Sequence, residues 1–296
     1  MTAILTRPAW TTELEVEIFN KLIDKHAPHL PKTRQQDPRP PVTPEEKENF
    51  YHYRVAGAAH DLFIVQVCAK VIDQIPDPEL QLFLSRQLGD DGAHAQNTRL
   101  RAQAISGYDP IEDIQKQVQK HWDYQGDLPI RNWQGFLSFE LHYELHIVSL
   151  LLLNSRISKI NDPESAKFAA QRILPDEAVH RLGVVDWWQR KFDKASPSEK
   201  EDLIAQVLEA DEEGQRRRST YLKDHWQLAH RAIGIEVDDL PVIYDAWRRE
   251  VLSYFLDIPV SKLPKLFESM GDIIPRTSRL DPCIRISVYT APDVLS

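Results

Sequence analysis

Two segments of the chain carry the same arrangement of acidic residues followed by a histidine. Residues 90–94 read Asp-Asp-Gly-Ala-His, and residues 176–180 read Asp-Glu-Ala-Val-His. In a helix, positions i and i+3 share one face, so Asp91 would lie beside His94 and Glu177 beside His180. A carboxylate and an imidazole on one helix face are typical ligands of a metal ion held between helices. The repeated pattern therefore predicts two metal-binding helices.

The first acidic residue of each segment has a different predicted role. Asp90 and Asp176 face about 100° away from the pairs that follow them, because a helix turns once every 3.6 residues. From that position each can accept a hydrogen bond from a metal-ligating histidine and fix the orientation of its ring.

Glu144 interrupts an apolar helix face formed by Leu137, Leu141, Val148 and Leu151. This spacing predicts that Glu144 is buried. A buried carboxylate without a partner costs on the order of several kcal/mol, so a metal ion or another cation is expected beside it.

Asp61 is the corresponding carboxylate on an earlier predicted helix, where Ile64, Val65 and Cys68 share its face. Its neighbour His60 is an alternative ligand, and the residue pattern leaves both open with Asp61 preferred. The predicted metal ligands are Asp61, Asp91, His94, Glu144, Glu177 and His180.

The elements that must position these residues are predicted to be helices. Glycine is rare, with only 10 in the chain, and helix-forming residues are frequent. Five prolines follow a residue that can cap a helix, a combination that starts helices because proline needs no N–H partner there. These are Thr43-Pro44, Asp77-Pro78, Asp109-Pro110, Asp162-Pro163 and Ser196-Pro197. We predict long helices near 44–75, 78–106, 130–158 and 163–193, and a shorter one near 110–124.

Three regions are expected along the chain. Residues 1–42 read as a polar, proline-rich N-terminal arm, and residues 43–193 contain the predicted metal-binding helices. Residues 194–296 read as a C-terminal helical extension that ends in an irregular tail.

The spacing of the candidate ligands resembles that of a known family. Asp61 precedes Asp91 by 30 residues and Glu144 precedes Glu177 by 33. Over residues 45–192 the chain resembles the ferritin-like di-iron carboxylate family. Within it, the chain looks most like the oxygen-activating branch, which includes the catalytic subunits of bacterial phenylacetyl-CoA epoxidases and the aminobenzoate N-oxygenases. The resemblance is specific for a dinuclear site and weak for the substrate.

The resemblance implies a fold, a cofactor and an activity. The implied fold is an all-α, ferritin-like four-helix bundle with additional C-terminal helices, and the implied cofactor is two iron ions. Manganese is the alternative, because both metals accept mixed carboxylate and imidazole ligands, whereas zinc favours fewer ligands. The implied activity is an oxidase or monooxygenase that uses O2 to hydroxylate, epoxidise, N-oxygenate or desaturate a small organic substrate.

Several residues depart from the family pattern or leave its details open. Asp61 and Asp91 stand where the family more often has glutamate. Pro175 lies one turn before the ligands of the fourth long helix and predicts either a bulge or a plain kink there. Glu140, one turn before Glu144, could be an extra ligand or could accept a hydrogen bond from a histidine.

Other functions are compatible with the same residues. One is a ferroxidase or iron-handling protein, and another is a structural subunit of an oxygenase complex. A third is a buried polar network without a metal. The dipeptide His60-Asp61 also occurs in HD phosphohydrolases, but that family leaves the repeated carboxylate-x-x-histidine pattern unexplained. About 100 residues beyond the four long helices favour an oxygenase, which needs a substrate pocket.

The charge and composition of the chain limit the classes of partner that we expect it to bind. A net charge of −9 disfavours nucleic acid, so the basic run Arg216, Arg217 and Arg218 is predicted to be a solvated helix face. We expect a soluble, cytoplasmic protein that does not span a membrane, because no stretch of about 18 uncharged apolar residues occurs. Neither a glycine-rich dinucleotide fingerprint nor a cysteine set for an iron-sulfur cluster is present, so electrons are expected from a separate reductase. The two cysteines, Cys68 and Cys283, predict no disulfide framework. The sequence does not decide whether the protein forms a homodimer.

Overall fold

The computed structural model describes residues 10–31, 36–75 and 77–269, apart from the side chains of residues 12, 142, 145–153 and 155. Within these ranges the chain is all-α, as predicted, and it forms no β-strand beyond an isolated bridge between Arg39 and Ile160. The helices are α1 (Thr12–His26), α2 (Pro44–Val71), α3 (Pro78–Ser106), α4 (Ile111–Gln125), α5 (Leu128–Arg131), α6 (Trp133–Ile157), α7 (Pro163–Phe168), α8 (Leu174–Lys194), α9 (Pro197–Ile233) and α10 (Leu240–Leu256).

Four of the five predicted helix starts are confirmed. Thr43 and Ser196 each form a capping box with the glutamate three residues later. Asp77 and Asp162 each accept hydrogen bonds from two backbone N–H groups of the first turn. At the fifth start, Pro110 is the N-cap residue, so α4 begins one residue later than predicted. Local side-chain chemistry therefore sets where most of these helices begin.

The helices that carry the candidate ligands pack against one another. α2 packs along α3, α6 packs along α8, and α3 also contacts α8. α9 lies against α2, α4 and α6. Helix α6 contributes to two apolar cores, with Leu137 and Leu141 in the core around α8, α9 and α10, and Phe139 and Tyr143 in the core around α2 and α4. The buried acidic residues of α6 therefore lie between the two cores.

The N-terminal segment differs from the predicted polar arm, because it contains helix α1. Phe19, Leu22 and Ile23 are buried, and the Phe19 ring packs edge-on against Trp247 of α10 with 5.8 Å between centroids. Apolar residues spaced three and four apart mark this helix, but the polar, proline-rich sequence that follows it obscures the pattern. Residues 1–9 and 32–35 of the predicted arm lie outside the described residues.

The predicted fourth long helix is interrupted close to the candidate ligands. A turn of π-helix, Ala169–Ile173, separates α7 from α8. Pro175 cannot donate the backbone hydrogen bond to the carbonyl four residues earlier, and a π-turn shifts the bonding to i→i+5. Of the two predicted alternatives, the structure has a bulge, which ends two residues before Pro175 and three before Asp176.

The C-terminal region contains the longest helix of the described residues. α9 runs over 37 residues, and the predicted irregular tail falls largely within residues 270–296, which lie outside the described residues, as does Cys283.

One helical stretch in the described ranges, Pro44–Gln74, is long and apolar enough to cross a membrane by length and composition alone. It is weak evidence for a membrane span, because 56% of its most apolar window is buried inside the protein.

Candidate metal centre

Five of the six predicted ligands converge in the interior. Asp91 and His94 come from α3, Glu144 from α6, and Glu177 and His180 from α8, and each residue is 0–2% exposed. Their potential ligand atoms form two groups, within each of which all atoms lie within 4.8 Å of one another. One group is Asp91, Glu144 and His180, and the other is Asp91, His94 and Glu177. Two adjacent positions that share Asp91 could therefore hold a metal ion.

The Nδ1 atoms of both histidines face the carboxylates. His94 Nδ1 lies 3.4 Å from Glu177 Oε1 and 3.6 Å from Asp91 Oδ1. His180 Nδ1 lies 3.6 Å from Glu144 Oε2, 3.7 Å from Glu177 Oε2 and 4.0 Å from Asp91 Oδ1. Two ligands at about 2.0–2.2 Å from one ion are themselves roughly 3–4 Å apart, so these separations fit a shared ion. Glu177 directs one oxygen towards each histidine, so it could contribute a ligand atom to both positions.

The polar atoms of the cluster that face each other lack hydrogen-bond partners among the described residues. Both oxygens of Asp91, both oxygens of Glu177, Glu144 Oε2 and the Nδ1 atoms of His94 and His180 are buried without a hydrogen bond to any described residue. Buried polar atoms are otherwise almost always hydrogen-bonded. A convergent set of carboxylate oxygens and imidazole nitrogens without hydrogen bonds, each able to bind a metal ion, fits a dinuclear site.

The other nitrogen of each histidine is held by an aspartate from the opposite helix. His94 Nε2 of α3 lies 3.1 Å from Asp176 Oδ2 of α8, and His180 Nε2 of α8 lies 3.3 Å from Asp90 Oδ2 of α3. The hydrogen bonds predicted for Asp90 and Asp176 are thus confirmed, and they cross between the helices. A histidine that donates from Nε2 keeps the lone pair of Nδ1 free for a metal.

The two histidine-orienting aspartates are themselves held near the surface by arginines. Arg86 Nε lies 3.2 Å from Asp90 Oδ2, and Arg172 Nε lies 3.5 Å from Asp176 Oδ2. These arginines flank the site without approaching its buried oxygens.

Asp61 and His60 have different surroundings. Asp61 is buried, and burial raises the pKa of its carboxyl, with smaller effects from His94, Asp91, Glu177 and His180. It is therefore in the electrostatic environment of the cluster, although it belongs to neither group of converging atoms. His60 Nδ1 instead lies 3.0 Å from the hydroxyl of Tyr221. This geometry favours Asp61 over His60, and its role as a sixth ligand stays a prediction.

Among the described residues, Glu140 accepts no hydrogen bond from a histidine, and its role as an extra ligand stays a prediction. It accepts hydrogen bonds from Gln87 Nε2 at 3.0 Å and from Cys68 Sγ at 3.5 Å, and it belongs to neither group of converging atoms. Gln87 also donates to Glu144 Oε1 at 2.8 Å. Sequence reasoning missed Gln87, although its position four residues before Asp91 puts it on the same helix face.

The electrostatics of the cluster show an excess of negative charge. Burial alone would lower the pKa of both histidines, but Asp91 and Glu177 raise the pKa of His94 to about 11, and Glu144 and Glu177 raise that of His180 to about 12. Burial raises the pKa of Asp91 to about 6 and that of Glu140 to about 7. The site thus favours bound protons or cations.

A small apolar cavity lies next to Glu144 and His180. Its volume is about 10 Å³, which is room for one water molecule at most. Its apolar lining comes from Trp10, Leu141, Val184, Val185 and Val251. Of the stripe predicted around Glu144, Leu137 and Leu141 are buried, whereas the side chains of residues 148 and 151 lie outside the described set.

No protein-family model matches the chain, and neither a curated protein nor a solved structure matches it. The functional assignment therefore depends on the geometry of the site. That geometry shows buried Asp, Glu and His clusters that could hold a metal ion.

Proposed function

We propose that the protein is a non-haem di-iron oxygenase or oxidase that uses O2 to oxidise a small organic substrate. The observation that carries this proposal is the pair of three-residue groups that share Asp91, with Glu177 directed at both histidines. The two histidines belong to different groups, His94 with Glu177 and His180 with Glu144, so a single ion would not account for both groups.

The donor chemistry supports iron. The candidate ligands are carboxylates and imidazoles without a thiolate, a set that suits iron or manganese. Two bound iron ions would supply the redox chemistry that activates O2 for the oxidation of an organic substrate. Asp61, at the edge of the cluster, is the proposed sixth ligand.

Under this proposal the fold is ferritin-like. α2 would provide Asp61, α3 would provide Asp91 and His94, α6 would provide Glu144, and α8 would provide Glu177 and His180. Helices α9 and α10 would be additions to this four-helix unit, and they supply much of the apolar core beside α6 and α8.

The chain's own residues would prepare the site for oxidation chemistry. Asp176 and Asp90 orient His94 and His180, so each Nδ1 faces inward. The apolar cores on both sides of α6 exclude water. Glu140, whose pKa is raised to about 7 by burial, can hold or release a proton one turn from Glu144 at neutral pH. Electrons would come from a separate reductase.

The test is metal loading followed by oxygen exposure. Anaerobic titration with Fe(II) should saturate at two ions per chain, and admission of O2 with candidate substrates should consume O2 faster than the same iron free in buffer. His94→Ala and His180→Ala should lose metal and O2 consumption, whereas His29→Ala, at an exposed position, should retain both.

The alternatives predict different outcomes of that test. A ferroxidase would oxidise Fe(II) without organic substrate, accumulate mineral and elute as a large cage. A structural subunit would bind metal without consuming O2. O2 consumption no faster than that of free iron would overturn the oxygenase proposal.

A further inference from the structure

Three consecutive arginines on α9 lie in three different environments. Arg216 is exposed and pairs with Glu212 at 2.7 Å. Arg217 pairs with Glu213 and lies 3.6 Å from Asp127. The prediction of a solvated helix face is therefore confirmed for Arg216 and wrong for Arg218, which is 0% exposed.

The buried guanidinium of Arg218 has no hydrogen-bond acceptor in the part of the chain that the structure describes. None of its three nitrogen atoms has a hydrogen-bond partner among the described residues, and no described carboxylate forms an ion pair with it. A guanidinium carries five N–H donors and keeps its charge in proteins. A fully buried, unpaired cation of this kind is rare, because buried charges are normally paired.

Aromatic rings surround this cation. The centre of the guanidinium lies 4.5 Å from the ring centroid of Tyr143 and 5.7 Å from that of Tyr221. His121 lies close to both tyrosines, with its Nδ1 atom 3.1 Å from the Tyr143 hydroxyl. Burial, with a further effect of Arg218, lowers the pKa of His121 to about 3, so this histidine is neutral and adds no second positive charge beside Arg218. We name Arg218, Tyr143, Tyr221, His121 and His60 the arginine pocket.

A solvent-facing cavity adjoins the arginine pocket. Its volume is about 240 Å³, and His121, Tyr221 and His225 form its buried part. Lys120 and Arg231 lie at its exposed rim, with Asp224 as the acidic residue there. The cavity can admit a small organic molecule. Arg218 itself does not line it, so the ring of Tyr221, which lines the cavity and lies 5.7 Å from the guanidinium, would have to move for a ligand to reach Arg218.

The arginine pocket also adjoins the candidate metal centre. His60 and Asp61 are neighbours on α2, and Glu177 contributes to the electrostatic environment of His60. The hydroxyl of Tyr221 lies 3.0 Å from His60 Nδ1. Asp61 also contributes to the electrostatic environment of Tyr221, so the arginine pocket and the candidate metal centre are neighbours.

We infer that Arg218 binds the carboxylate of a small organic acid and that this acid is the substrate of the metal centre. A carboxylate accepts two parallel hydrogen bonds from one guanidinium, which would satisfy the donors that are otherwise unpaired. The aromatic rings around Arg218 suit a planar, apolar body attached to the carboxylate. The substrate role rests on the proposed function, whereas the binding of the acid does not.

The test uses the full-length, metal-free protein and two probes of the same shape, benzoate and its neutral analogue benzamide. Calorimetry should show that benzoate binds at least tenfold more tightly than benzamide. Benzoate should also raise the melting temperature, and the rise should continue with the logarithm of its concentration above Kd. Equal binding of the two probes, or binding of inorganic phosphate in preference to benzoate, would overturn the inference.

Variants distinguish binding at Arg218 from binding elsewhere. Arg218→Met should weaken benzoate binding more than tenfold and leave the melting temperature unchanged or higher, because it removes an unpaired buried charge at similar volume. Arg216→Met, at the exposed neighbour, should bind benzoate like the original chain. If Arg218 were merely structural, Arg218→Met would lower the melting temperature and leave benzoate binding intact in the folded fraction. Arg218→Lys, which keeps the charge but not the planar fork, provides a second folded variant and should bind benzoate more weakly.

Because no metal is present in this test, its result is independent of the iron titration. Failure of benzoate binding with intact iron loading would reject the acid and keep the metal centre. Benzoate binding without iron loading would reject the metal centre and keep the arginine pocket as an anion site.

Discussion

The candidate metal centre and the arginine pocket are two buried polar clusters with opposite charge imbalances. In the metal centre, carboxylates from three helices outnumber the histidines, and the pKa values of His94 and His180 rise to about 11 and about 12. In the arginine pocket the cation Arg218 lies among tyrosines and neutral histidines, and the pKa of His121 falls to about 3. The same residue type, histidine, therefore has its pKa shifted in opposite directions within one protein.

This difference indicates what each cluster can bind. Unpaired buried atoms are costly unless something satisfies them, and the sign of the missing charge selects the ligand. The carboxylate-rich cluster favours cations, and the arginine pocket favours an anion. Substitutions or pH changes that act on one cluster at a time can test this contrast.

The largest expected effect separates the two metal positions. Glu177 faces both histidines, whereas Glu144 approaches only His180. Glu177→Gln should therefore reduce bound iron from two ions per chain to nearly none. Glu144→Gln should retain about one ion, at the position formed by Asp91, His94 and Glu177. Elemental analysis after desalting measures both.

The matched control for these variants is Glu201→Gln, the same substitution at an exposed position of α9, and circular dichroism checks that each variant is folded. Equal loss of metal in the Glu177 and Glu144 variants would indicate one mononuclear site and would remove the bridging role of Glu177.

The next prediction concerns pH. A raised histidine pKa favours the protonated ring, so at pH 7 both His94 and His180 carry a proton that a metal must displace from Nδ1. Proton competition weakens as pH rises, so metal affinity should increase with pH, by about tenfold per pH unit for each proton released. Calorimetry of metal binding in buffers of different ionisation enthalpy counts the protons.

Two or more released protons would agree with the raised pKa values of both histidines, because burial also raises the pKa of the candidate ligand Glu144. Release of none would show that the histidines are neutral before metal binds, and the charge contrast between the two clusters would then be wrong. The arginine pocket offers the internal comparison, because benzoate binding to the permanently charged Arg218 should vary little between pH 6 and pH 8.

Much of the metal centre was predictable because helical periodicity is a local property. The i, i+3 spacing places Asp91 with His94, and Glu177 with His180, whatever surrounds the helices. The buried position of Glu144 followed from its apolar neighbours, and most helix starts followed from a cap residue before proline. These features require only a few consecutive residues.

The remaining features depend on contacts between helices that a local pattern does not specify. The crossed pairing of His94 with Asp176 and of His180 with Asp90 requires the relative rotation of α3 and α8. Arg218 is buried because α9 packs against α2 and α6. The sequence did not predict this, because a run of three arginines resembles a solvated helix face. Helix α1 was missed because its apolar stripe is short and lies in a polar segment.

The smallest expected effect tests the crossed hydrogen bonds. Substitution of a carboxylate that orients a metal-binding histidine typically weakens metal affinity by about 10–100-fold. In the Glu144→Gln background, where only the position with His94 should remain, Asp176→Asn should weaken Fe(II) binding by this factor. Asp90→Asn should have little effect there, because its partner His180 no longer serves an ion. Titration with Fe(II) under anaerobic conditions measures the affinities.

Asp186→Asn on α8, at an exposed carboxylate paired with Arg190, is the matched control and should leave Fe(II) binding unchanged. If instead Asp90→Asn weakened binding and Asp176→Asn did not, each aspartate would act on the histidine of its own helix, and the crossed arrangement would be refuted. Agreement with the crossed pattern would show that α3 and α8 each orient the metal ligand of the other. The two positions would then be coupled through the packing of these helices as well as through the shared carboxylates.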